Sequence, residues 1–482
     1  MEQGKIKLTE KQQQCVTFKP EGSLLVRGIP GSGKSTIIMA RAQYLLKKNP
    51  TESLVILTFS RALSNYVRQL AFKTGDNPAQ ALTFHNWAQL LLKDTNYPHT
   101  RLILGENRRN VVQFAKNIIN KKTNAVFLKF NGQKNENRAL IDFLSDEIEW
   151  IKGSDINSRD EYLKIKRAGR GTEIRVTKKH RETIYDVLEK YNELLKNHSK
   201  HQGVDSEDLA RILIEKVDSI PKNKRPDHIL VDEAQDLHSV QLRAINIIAK
   251  KSLTVGADKG QQIYRRTFTW KKAGIDVVGN RSRFLDETFR STKQIVQLAN
   301  NFQEKDKIFT KDEEYIKARL PETEGKVPQL CLCEGNKEEM QKVIEHIRKI
   351  RKSFPEDTIG VIVPRKGDLQ DYKISLESIN IPVYNLQEDE FDIISPGVKL
   401  ITFHSSKGLE FDHVIVTGLK KGKLPYKTPG LGEDETEFIS RERKKFYVAM
   451  TRAKKTLMIT AVKPYSSFVE DLEPKLYELY QK

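Results

Sequence analysis

The chain has 482 residues, more than one hydrophobic core can organise, so two to four domains are expected. Hydrophobic residues make up 38% and charged residues 30%, which suits a globular protein and excludes a disordered or fibrous one. Lys plus Arg is 83 against 64 for Asp plus Glu, a net charge of +19 that favours a polyanionic partner, nucleic acid or an anionic membrane surface.

Membrane attachment is not expected, because no apolar run approaches a membrane span and the opening stretch MEQGKIKLTEKQQQ is no signal peptide. Three cysteines fit a reduced, cytoplasmic setting.

The first element in chain order is a short apolar strand, Ser23–Val26, followed by GIPGSGKS over residues 28–35 and a helix opening at Thr36. This is a phosphate-binding loop in its proper context. Gly28, Gly31, Ser32 and Gly33 allow a tight turn whose N–H groups face phosphates at a helix N-terminus. Lys34 is placed to reach the β- and γ-phosphates, and Ser35 to offer its hydroxyl to Mg²⁺.

A second buried strand covers 54–59 (LVILTF). From about 90 to 205 the pattern becomes long, charged and helical, with helices expected over Asn107–Asn120, Leu140–Ile151 and Lys178–Lys196. Between Lys164 and Arg181 the chain is strongly basic around Gly169-Arg170-Gly171, either a solvated helix face or a phosphate-backbone contact.

At 228–231 a four-residue apolar strand ends in the carboxylates of the segment ILVDEAQD. Asp232 is assigned to Mg²⁺, and Glu233 to orienting and deprotonating the attacking water. Further strands are expected at Leu253–Val255, Thr358–Val363, Val398–Thr402 and His413–Thr417, with a helix over Glu338–Arg351. The alternation predicts two parallel sheets wound with helices. Cys331 and Cys333 fall on one face of a strand and read as core rather than as metal ligands; the last thirty residues read as a strand and a charged helix.

Several further blocks complete a set that resembles the UvrD/Rep-like branch of superfamily 1 helicases over nearly the whole chain. Leu8-Thr9-Glu10-Lys11-Gln12 resembles the Q motif, which implies that Gln12 binds the adenine edge. TFSRALSN (58–65) and TFHNWA (83–88) resemble strand-contacting blocks, implicating Thr58, Phe59 and His85, with Asn86 where Ser is usual. DKGQQIY (258–264) resembles the block in which Gln261 senses the γ-phosphate and Tyr264 meets the strand. TFRS (288–291) would stack Phe289 on adenine and bring Arg290 to the γ-phosphate. TFHSSKGLEF (402–411) implicates Thr402 and His404 at the strand and Gly408 and Glu410 at the nucleotide. ERKKFYVAMTRA (442–453) places Arg452 as a second arginine finger. Two departures stand out: Arg266 replaces a base-stacking Trp, and Thr36 replaces an Arg that lies against adenine.

The resemblance implies an α/β fold of two RecA-like P-loop motor domains plus a helical insertion subdomain in the first. Its expected parts are 1–90 and 205–280 for the first lobe, 91–204 for the insertion and 281–482 for the second lobe. Only 111 residues separate Arg290 from Thr402, too few for the large insertion that bigger relatives carry there. The implied activity is an ATP- and Mg²⁺-dependent, 3′ to 5′ translocase or helicase on single-stranded or tailed DNA. The alternatives are a nucleic-acid-stimulated ATPase that loads a partner, such as a nuclease or a repair or defence protein, and an RNA motor.

Overall fold

Runs of β-branched and aliphatic residues form strands here, and most strands lead into a helix because parallel neighbours need a crossover. The computed structural model describes residues 8–58, 64–65, 80–93, 95, 97, 101–122, 125–129, 136–165, 176–258, 270–271, 273–310, 319–385, 392–426 and 435–480.

The first sheet is built from β1 (Gly22–Gly28), β2 (Leu54–Thr58), β3 (Gln80–Thr83), β4 (His228–Val231), β5 (Ser252–Ala257) and β6 (Ser282–Leu285), in the order β3-β2-β4-β5-β1-β6. All its pairings are parallel. β4 is buried along its whole length, which explains its uninterrupted apolar sequence. β5 lies between β4 and β1, so the chain leaving β5 emerges between the phosphate loop and the carboxylates. β6 pairs with β1 through Leu25↔Ser282, so the first sheet runs on through Leu285 and the expected boundary at 280 falls short.

The second sheet takes β7 (Gln329–Cys333), β8 (Thr358–Val363), β9 (Val383–Asn385), β10 (Gly397–Thr402), β11 (Phe411–Leu419), β12 (Ala453–Val462) and β13 (Glu478–Leu479) in the order β13-β7-β12-β11-β8-β10-β9. Its closing strand is a departure from expectation. After a four-residue helix, Ser467–Glu470, the chain returns as β13 and pairs Leu479 with Leu330. Pro474, which cannot donate in a helix interior, falls in the span where a charged helix was expected.

A third core belongs to the helices Gly105–Lys122, Glu136–Gly153, Arg159–Lys164 and Lys178–Asn197, where Ile148, Ile151, Tyr162, Val187 and Tyr191 are buried together. Residues 166–175 of the basic run lie outside the described residues. Arg181, at its end, donates to the carbonyls of Tyr162, Leu163 and Ile165 at 2.8, 3.2 and 2.9 Å, so it ends a helix rather than awaiting a phosphate. Cys331 and Cys333 are buried in β7 with their sulfurs 3.7 Å apart, and Cys15 is buried as well. No helix among the described residues is long and apolar enough to cross a membrane.

Candidate nucleotide site between the two sheets

The phosphate loop joins β1 to the helix Lys34–Lys48. Gly31 and Gly33 have φ of 75° and 85°, a region that side chains with a Cβ avoid. Close approach matters as much. A Cβ on Gly31 would lie 2.4 Å from Thr288 Oγ1, and one on Gly33 would lie 2.6 Å from Gln12 Nε2. The Lys34 ammonium, buried in the loop, donates to Gly28 O and Ile29 O at 2.8 Å each and to Asp258 Oδ2 at 3.1 Å. Ser32 Oγ is buried with no hydrogen-bond partner among the described residues, a hydroxyl that a phosphate oxygen would satisfy.

Gln12 serves the loop directly. Its Oε1 accepts from Thr9 N at 3.0 Å and its Nε2 donates to Ser32 O at 3.0 Å. The Nε2 end of the amide therefore braces the loop, while the Oε1 end closes the start of the helix Glu10–Val16. Thr36 sits half-buried in the first turn of the following helix.

Across β5, Asp232 follows β4 and accepts a 2.6 Å hydrogen bond from Ser35 Oγ. This pair of hard oxygen donors suits Mg²⁺, which prefers carboxylate and hydroxyl ligands. Burial pushes the Asp232 carboxyl up to about 6, and the adjacent Glu233 charge adds to the effect. Glu233 has φ 55°, an uncommon left-handed backbone for a residue with a side chain. Burial raises its carboxyl too, but Lys407, Lys34 and Arg452 outweigh that and hold it below the ordinary range. Gln235 bridges the site: its Nε2 donates to Glu233 Oε2, and its Oε1 accepts from Asp258 N at 2.9 Å.

The opposing cations come from the segment after β6 and from the connections of the second sheet. Phe289 N donates to Gly31 O at 2.9 Å, which docks the segment after β6 on the phosphate loop, and the Phe289 ring stays 53% exposed. Arg290 Nε donates to Glu410 Oε2 at 2.7 Å, and Lys454 holds the other carboxylate oxygen at 2.8 Å. Burial raises the Glu410 carboxyl, but Arg290 and Lys454 prevail and bring it to about 2. Arg452 is buried, donating to Val448 O, Leu409 O and Thr451 Oγ1 at 2.9, 3.2 and 3.2 Å. Burial, then Arg290, lowers its guanidinium to about 9, so it remains a cation at neutral pH. Lys407 crosses between the sheets, 2.6 Å from Asp236 Oδ2 and 3.7 Å from Glu233 Oε2.

Lys34, Ser35, Asp232, Glu233, Arg290, Glu410 and Arg452 thus come together with the loop glycines, and Gly408 adopts φ 78° in the turn before Glu410. The strand-contact residues are more scattered. His404 is exposed and His85 is half-buried with Nε2 2.7 Å from Ser206 Oγ. Thr58 and Thr402 are 1% and 4% exposed, and neither offers its side chain to a strand in this conformation. Both close the ends of buried strands, where the pleat turns their side chains inward. Phe59, Gln261, Tyr264 and Arg266 lie outside the described residues. Asp258, Gln235, Asp236 and Lys407 escaped the sequence reading, although all four stand inside its blocks. The signal was there: charged and amide residues flanking apolar strands on both sides of one site.

Residues 8–285 match the family model described as UvrD/REP helicase N-terminal domain, and residues 385–464 match UvrD-like helicase C-terminal domain. A Mycoplasma pneumoniae protein named "Probable DNA helicase" is 23% identical over 510 residues, covering 98% of this chain and 86% of that protein. ATP-dependent DNA helicase PcrA of Leuconostoc citreum is 23% identical over 406 residues, covering 78% of this chain and 49% of that protein. ATP-dependent DNA helicase srs2 of Schizosaccharomyces pombe is 22% identical over 417 residues, covering 78% and 44%. The chain therefore spans about half the length of the last two relatives. With the N-terminal family model taking in more than half of its residues, the chain belongs to the UvrD/Rep helicase family.

Proposed function

We propose that this protein is an ATP-dependent translocase and helicase that moves 3′ to 5′ along single-stranded DNA. The observation that carries the reading is the convergence of cations from the second sheet on carboxylates of the first, with Lys407 against Asp236 and Glu233. Lys34 and the loop N–H groups bind the phosphates, and Ser35 and Asp232 hold Mg²⁺, which neutralises phosphate charge when bound. Glu233 takes the proton of the attacking water. Arg290 and Arg452 meet the charge that develops on the transferring phosphoryl group, the work for which a fixed, always-charged fork is suited. Because these groups belong to different sheets, hydrolysis and product release change how the lobes sit, which moves the strand. Phe289, the exposed aromatic beside the loop, stacks on adenine.

A second reading has one observation in its favour. Only a short connection joins β9, ending at Asn385, to β10, beginning at Gly397, so the second sheet carries no large insertion there. In that reading the chain is a strand-stimulated ATPase that separates strands only with a partner such as a nuclease or repair protein.

Steady-state ATP turnover without polynucleotide, with single-stranded DNA and with single-stranded RNA is the test. DNA should stimulate strongly, and Lys34→Ala and Glu233→Gln should abolish the stimulated rate. Normal turnover in either variant would overturn the assignment. Greater stimulation by RNA would move the substrate. Tailed duplexes of both polarities then separate the two readings.

A further inference from the structure

Beyond the hydrolysis residues, a line of buried polar side chains joins the helix Phe84–Leu92 to the segment after β4. Ser206 opens the helix Ser206–Glu215, and its Oγ lies 2.7 Å from His85 Nε2. The same oxygen accepts from Gln241 Nε2 at 2.7 Å. The other end of that amide, Gln241 Oε1, accepts from the backbone N–H of His238 at 2.8 Å. Ser206 and Gln241 are 6% and 2% exposed, so solvent does not substitute for these bonds. Gln241 donates to Ser206 Oγ, which leaves the serine hydroxyl able to donate a hydrogen bond to His85 Nε2.

The far end of the line is anchored. His238 Nε2 lies 3.1 Å from Glu149 Oε1 and 3.4 Å from Glu207 Oε1. Arg108 draws both carboxylates together, 2.9 Å from Glu149 and in contact with Glu207. The convergence of Glu149, Glu207 and His238 resembles a metal site in outline, but Arg108 already supplies the cation. His238 stands two residues beyond Asp236, the residue that holds Lys407 of the second sheet. A displacement of His85 therefore pulls, through two side chains, on the backbone that carries the hydrolytic carboxylates.

We infer that Ser206 and Gln241 are positioning residues that transmit strand engagement at His85 to the segment 232–236. They set how strongly a strand stimulates hydrolysis, not hydrolysis itself. The inference rests on the strand-motor reading above.

The test is ATP turnover by the full chain, with and without an oligothymidine strand, in Ser206→Ala and Gln241→Leu. Turnover without the strand should stay within about twofold of wild type, while the maximal stimulated rate falls roughly tenfold, an ordinary coupling between sites. The strand concentration giving half-maximal stimulation should hold within about threefold. Ser206→Thr, which keeps the hydroxyl, should restore stimulation. Adding Ser206→Ala to His85→Ala should remove no further stimulation, because both break one line. Wild-type stimulation in Ser206→Ala, equal loss with and without the strand, or additive losses in the double variant would each overturn the inference. A wild-type protein that no strand stimulates would instead sink the motor reading, and this inference with it.

Discussion

Lys407 and Asp236 meet at 2.6 Å across the two sheets, and both are almost fully withdrawn from solvent. Lys407 leaves the end of β10 and Asp236 follows β4, so neither sheet alone completes the pair. Buried ion pairs add little net stability when intact, but removing one partner strands the other charge. The same ammonium stands 3.7 Å from Glu233 and is the foremost of the cations that hold that carboxyl low.

Lys407→Met should therefore do more than lower turnover. We expect at least a roughly tenfold loss in stimulated turnover, from the uncompensated carboxylates. Glu233 must be ionised to take a proton, so activity is lost as pH falls through its folded-state value. With Lys407 gone that value rises, and the acid limb of the kcat profile should move to higher pH. An unmoved acid limb would show that Glu233 does not depend on Lys407.

Asp232 shifts in the opposite direction, with its carboxyl raised to about 6. Folding favours its protonated form, a contribution complete below the ordinary carboxylate range and lost as pH rises through about 6. Asp232→Asn should thus be more stable than wild type at pH 8 without Mg²⁺ or nucleotide, by on the order of 1–3 kcal/mol. The gap should close near pH 4, and Mg²⁺ should narrow it at pH 8 by binding wild type alone. Denaturant melts across that range decide the matter; identical curves at pH 8 would count against the burial argument.

Gly31→Ala meets two obstacles, its φ of 75° and Thr288 Oγ1 at 2.4 Å from the added carbon. The left-handed backbone alone costs about 1–2 kcal/mol. Nucleotide affinity should fall roughly tenfold. Thr288→Ala in the same chain should recover part of the loss, since it relieves the contact and leaves the backbone strained. Calorimetric titration with a non-hydrolysable ATP analogue measures both, and full recovery would mean that the φ is immaterial.

Arg452→Lys keeps a charge but cannot reproduce the fork that reaches Val448 O, Leu409 O and Thr451 Oγ1. A fall in stimulated kcat of roughly a hundredfold or more is expected, with strand affinity unchanged. Wild-type kcat in this variant would remove Arg452 from the list of fingers.

Lys152, 1% exposed, sits 2.5 Å from Asp205 and 2.6 Å from Asp208, where the helical unit meets the helix Ser206–Glu215. Lys152→Met leaves the Asp205 carboxylate buried against Arg108 at 4.0 Å, and should destabilise the protein by about 3–5 kcal/mol. Adding Asp205→Asn should return much of that, because the stranded charge is gone. A single variant as stable as wild type would show that the pair is dispensable.

Much of the site could be read along the chain because its conformations are local. Eight residues, 28–35, contain the turn, the glycines that permit it and the first residues of the helix that follows. The apolar runs at 228–231 and 358–363 became strands with those bounds, since a strand buried on both faces needs little beyond its own composition. The end of the chain misled for the same reason: β13 is exposed and two residues long, and only its pairing with β7 makes it a strand.

The sequence by itself determined the phosphate loop, the paired carboxylates, the parallel sheets and the family, each written in short windows where backbone and side-chain chemistry are settled by near neighbours. Only the tertiary structure decided that Lys407 faces Asp236 and Glu233, that Asp258 falls beside Lys34, that Gln12 braces Ser32, and that Ser206 and Gln241 join His85 to the carboxylate segment. Nearly all of these contacts join residues from tens to hundreds of positions apart. Their geometry follows from strand order and crossover, so it does not exist until the sheets have formed.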